Sequence, residues 1–95
     1  DFLILRGIRE TGGFATAVDD DAIVSAREEV ANLEGILLCP EGAATYAAYL
    51  KELETGRISS KDSVVLFNCA TGLKYPMPKV KNHIDKDLPV NYSSL

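Results

Sequence analysis

Glycines punctuate this chain, and they fix where regular structure can begin and end. Gly12-Gly13, Gly35 and Gly56 each close a helix-length segment, as glycines just past a helix do. The first segment, Asp1–Thr11, places Phe2, Leu5 and Ile8 about three residues apart, with Arg6, Arg9 and Glu10 between them. The second follows Asp19-Asp20-Asp21, a run suited to an N-cap and to acids at a helix's positive end. It carries Ala22, Ile23, Ala26, Val30 and Leu33 on one face, with Arg27 and Glu28 opposite. The third runs from Glu41 to about Thr55. Its first turns hold Gly42, Ala43, Ala44, Ala47 and Ala48, a face small enough for close packing against a neighbour.

Short apolar runs lie between these segments: Phe14–Val18, Ile36–Leu38 and Ser63–Asn68. Each reads as a strand, the last most strongly, since Val64-Val65-Leu66-Phe67 is a continuous apolar run. Strands alternating with helix-length connections predict an α/β fold with a parallel sheet. Arg57–Asp62 is a polar loop. Beyond Pro76 the pattern has no period, so the chain divides into a structured part, 1–76, and a C-terminal tail, 77–95.

Charge and motif content exclude several classes. The net charge is −4, which argues against a nucleic-acid surface. It is uneven: −6 through Leu73 and +2 from Lys74 onward. No apolar run approaches the ~20 residues of a membrane span. Cys39 and Cys69 lack metal or redox spacing and read as buried, reduced thiols of a cytosolic protein. His83, in the polar tail, has no second ligand residue nearby. It is also too remote from Cys69 for a nucleophile–base pair. Neither common phosphate-loop spacing occurs. The opening residues read as the middle of a helix, without a leader, so the chain is expected to be a segment of a longer one.

Open α/β sheets bind ligands at the carboxyl ends of their strands. Asn68, Cys69, Thr71 and Gly72 follow the strongest apolar run. Cys39-Pro40-Glu41-Gly42-Ala43-Ala44-Thr45, then Val64–Asn68 and Thr71-Gly72-Leu73-Lys74-Tyr75-Pro76, resemble the C-terminal part of the threonine synthase family. Asp1–Arg6, Ile8–Gly13 and Ala17-Val18-Asp19-Asp20 are similar to that family in the same order. The resemblance covers about residues 1–76.

The resemblance implies a fold type II pyridoxal 5'-phosphate enzyme, with this chain closing its large cofactor-binding domain. The family forms L-threonine and phosphate from O-phospho-L-homoserine and water. It implies a cytoplasmic homodimer (plastid, in a plant) with no nucleic-acid or membrane partner. Lys51, Lys61 and Lys74 do not match the family's Schiff-base position, so the chain alone is expected to be inactive. In the family, a Thr hydroxyl after the last strand faces the cofactor's pyridine nitrogen. The matching position here is Cys69, with Thr71 two residues on. Cys69 serves, Thr71 reaches in, or the site is degenerate. The alternatives are a related enzyme, such as a threonine dehydratase or cysteate synthase, and a non-catalytic α/β interaction module. As a fragment, the isolated chain is expected to self-associate through strand edges left exposed.

Overall fold

The computed structural model describes residues 1–77, 79 and 84–94. His83 and its proposed separation from Cys69 lie outside these. Among the described residues three α-helices form: α1, Phe2–Thr11; α2, Asp20–Glu34; and α3, Pro40–Glu54. Two single 3₁₀ turns follow, Gly72–Lys74 and Tyr92–Ser94.

Each helix begins where a side chain can satisfy an orphan N–H. Asp1 Oδ1 accepts from Leu3 N at 3.0 Å, and Asp19 Oδ1 accepts from Ala22 N at 2.7 Å. The Asp20 and Asp21 carboxylates lie in the first turn of α2, beside the helix's positive end. At α3 the cap is a sulfur: Cys39 Sγ accepts from Gly42 N at 3.2 Å, and Pro40 occupies the first turn. Proline is suited there, since its missing N–H would have had no helical partner. The helix ends are as the glycines predict. Gly12 and Gly35 both adopt φ 66°, a left-handed conformation that costs other residues strain. Their N–H groups return to Arg9 O and Ala31 O at 3.3 and 3.1 Å.

The core lies between α2 and α3. Ala26, Leu38, Ala43 and Ala47 are buried, with Val18, Ala22, Ile23, Val30 and Tyr46 packed around them. Alanines at the contact let the two helix backbones come close. α1 contributes no buried residue. Its Phe2, Leu3, Ile4 and Leu5 are all exposed.

The expected parallel sheet is absent: among the described residues no strand forms. Phe14–Val18, Ile36–Leu38 and Ser63–Asn68 lie between helices without a ladder. Among the described residues the only pairing is one isolated antiparallel bridge, Leu38 to Thr71. The α/β assignment is therefore corrected to a helical one. An apolar run signals a tendency to be buried, but a strand also needs a second backbone to receive its hydrogen bonds. Phe14 and Thr16 line one hollow beside α3 with Val64, Val65 and Leu66, but among the described residues no backbone hydrogen bonds join the two segments into a ladder. Val65 is 91% and Phe67 76% exposed, so the run that reads as a buried strand lies at the surface.

Phe14–Val18 is instead tied to α3 by side chains. Lys51 Nζ donates to Ala17 O at 2.6 Å. The Arg57 guanidinium lies 4.5 Å over the Phe14 ring and 3.2 Å from Glu52 Oε2. Glu52 is buried, and Thr55 Oγ1 donates to its Oε2 at 3.3 Å. A hydrogen bond from Thr16, then the charge of Arg57, hold its carboxyl below the usual range against the opposing effect of burial.

Two outcomes follow from this packing. Ala47→Leu puts a large side chain into the α2–α3 contact and lowers stability by ~1–3 kcal/mol, whereas half-buried Ala44→Leu costs less. Urea unfolding of the two variants checks the order; equal midpoints would contradict the packing. Glu52 has a lowered folded-state pKa, so its contribution is complete above the unfolded carboxylate value of about 4.3 and disappears as pH falls through the folded value. The stability difference between wild type and Glu52→Gln is therefore constant above about pH 4.3 and narrows as pH falls below it.

Candidate functional site

The loop from Asn68 to Pro76 is fastened at several points to three other parts of the chain. Gly72 is the central one. Its N–H donates to Leu37 O at 2.9 Å, and its carbonyl accepts from Arg27 Nη2 at 3.0 Å. Arg27 Nη1 also donates to Pro76 O at 3.0 Å, so one guanidinium spans the 3₁₀ turn. A Cβ at Gly72 would lie 2.5 Å from Leu38 O and 2.7 Å from Leu37 Cγ. Only glycine admits the two backbones at this separation.

The start of α3 receives the rest of the loop. Tyr75 Oη donates to Glu41 Oε1 at 3.1 Å. That bond raises the Tyr75 pKa; together with a backbone hydrogen bond at Glu41, the larger effect, it lowers the Glu41 pKa. Glu41 is thus an ionised acid in the first turn of α3, where negative charge is favoured. Asn68 lies over Gly42, whose Cβ position is 2.8 Å from Asn68 Oδ1. The sulfurs of Cys69 and Cys39 are 3.6 Å apart.

An open cleft of about 500 Å³ results between Gly35–Leu37 and the loop, lined there by Asn68, Cys69, Ala70, Thr71 and Leu73. Both sequence-predicted site residues line it. Cys69 is exposed rather than buried, which corrects the expectation of two buried thiols; Cys39 is fully buried. The hydrogen bond with Cys39, then burial, raises the Cys69 pKa, so the sulfur is a protonated, neutral donor at neutral pH. Thr71 is exposed too, and its Oγ1 accepts from Leu73 N at 3.3 Å, capping the 3₁₀ turn. Its hydroxyl proton remains free to point elsewhere.

Sequence reasoning placed Arg27 on the solvent side of α2, yet it is half-buried and grips the loop. The signal was present: Arg27 lies four residues after Ile23 and three before Val30, so it neighbours both on the helix surface. Tyr75 and Glu41 carried no signal beyond membership of the two quoted motifs. The structure brings those motifs, Cys39–Thr45 and Thr71–Pro76, into contact.

A family model described as pyridoxal-phosphate dependent enzyme matches residues 1–70. Over 72 residues the chain is 39% identical to threonine synthase of Methanocaldococcus jannaschii and, to the same degree, of Methanosarcina acetivorans. Each match takes in 76% of this chain and 18% of the relative. Threonine synthase of Mycobacterium tuberculosis is 31% identical over 74 residues, 78% of this chain and 21% of its own length. The chain thus spans about a fifth of the length of these relatives. The family model covers most of the chain, and more than two thirds of its residues align with a single kind of protein: the chain belongs to the pyridoxal-phosphate dependent enzyme family.

Proposed function

We propose that this chain is the C-terminal segment of a threonine-synthase-like enzyme, converting O-phospho-L-homoserine and water into L-threonine and phosphate. Likeness to threonine synthases supports the reaction. The carrying observation is the cleft, where a thiol and a hydroxyl stand side by side on a loop clamped at Gly72.

The donor set fits one part of pyridoxal phosphate, its pyridine nitrogen. Once bound, that cofactor supplies an electron sink for chemistry at the substrate's α and β carbons. The chain's part is to present a neutral hydrogen-bond donor to the ring nitrogen. The Cys69 S–H would do this by turning its one proton from Cys39 Sγ to the ring, without giving it up as a carboxylic acid would. Thr71 O–H is the second donor within the same cleft. Leu37, Gly72 and Arg27 act on these donors only through the backbone, by fixing where the loop lies. The exposed apolar residues of α1 support self-association, as in a homodimer.

The test is phosphate release and threonine yield from O-phosphohomoserine, with added pyridoxal phosphate. The 95-residue chain gives no turnover above free cofactor. In the full-length enzyme Cys69→Thr stays active, since it restores a hydroxyl of similar size. Cys69→Asp lowers threonine formation by at least about tenfold, or ~1.4 kcal/mol of barrier. Equal yields from the Asp variant and wild type would show that Cys69 does not face the ring. Absence of phosphate release from the full-length wild type would refute the reaction itself.

A further inference from the structure

The geometry points to Cys39 and Cys69 as a reversible disulfide-forming pair, a modification site that ties the cleft loop to the N-terminus of α3. Their sulfurs are 3.6 Å apart across thirty residues of chain. A disulfide needs them at about 2.05 Å, so they must close by roughly 1.5 Å. The segments that carry them are already adjacent for other reasons. Gly72 N–H bonds Leu37 O, Thr71 bridges Leu38, and Tyr75 bonds Glu41. Ordering the intervening chain is normally the main entropic cost of such a link. Here folding has already met it.

The two thiols differ in the way a relay requires. Cys69 is exposed and Cys39 is fully buried, so an external disulfide meets Cys69 first. At alkaline pH, needed because its pKa is raised, the Cys69 thiol loses its proton and its sulfur attacks a small-molecule disulfide RSSR. One S–S bond breaks and another forms, giving a mixed disulfide and one RSH, which takes up the proton. Cys39 then loses its proton, attacks Cys69 Sγ and expels the second RSH. Two thiols have been oxidised by two electrons, and RSSR has been reduced to two RSH. Exchange with a dithiol reverses both steps.

The link would consume the Cys69 S–H and hold the loop against α3. That consequence for the cofactor cleft rests on the function proposed above; formation of the disulfide does not. A thiol measurement therefore separates the two.

Full-length protein is incubated with excess glutathione disulfide at alkaline pH, alkylated without reduction and mapped by peptide mass. The expected result is loss of both alkylatable thiols, a Cys39–Cys69 linked peptide lighter by two hydrogens, and recovery of both thiols with dithiothreitol. Cys39→Ser should stop at a glutathione adduct on Cys69, because the second step has no attacking sulfur. Wild type that keeps both thiols, stalls as the Cys69 adduct, or links either cysteine elsewhere would overturn the inference. These readouts on wild type stand even where a variant fails to fold.

Discussion

The close approach of two backbones at Gly72 is the constraint on which the site depends. Leu37 and Gly72 lie in hydrogen-bond contact only because residue 72 has no side chain; a Cβ would meet Leu38 O at 2.5 Å. Arg27 then bonds the carbonyl of the same residue and reaches on to Pro76. A hydrogen bond to a charged donor contributes more than a neutral one, about 1.5–3 kcal/mol. Two such bonds from one planar guanidinium fix direction as well as distance. The small residues of the α2–α3 contact have the same effect at larger scale. Ala26, Ala43 and Ala47 keep the two helices near enough for Arg27, on α2, to reach a loop that also rests on the start of α3.

Helix positions were legible in the amino-acid pattern because their causes are local. Asp19 caps α2 through a bond three residues away, and Gly35 ends it through one four residues away. The run of three acids was rightly read as a capping cluster. The sheet was not legible, because a ladder is a relation between segments distant in sequence. Val64–Phe67 has a strand's composition, yet no described segment supplies it with a ladder partner.

The candidate site was partly legible. Likeness to a family singled out Cys69 and Thr71, and the structure sets both along one cleft. What holds them there was not foreseen. Arg27 was assigned by charge to the solvent face, although its helical neighbours Ile23 and Val30 pack against the core. The pairing of Cys69 with Cys39 joins residues thirty positions apart. It could emerge only once the two motifs were placed together.

The central claim is that Gly72 locks the loop beneath the cleft. Hydrogen exchange of the Gly72 amide in the full-length protein tests it most directly, since that N–H is the group bonded to Leu37 O. The account predicts exchange well below the rate of an unstructured amide, and a marked gain in rate when Arg27 is replaced by Met, which keeps the aliphatic stem but donates to neither carbonyl. A Gly72 amide that exchanges at the unstructured rate in wild type would contradict the account.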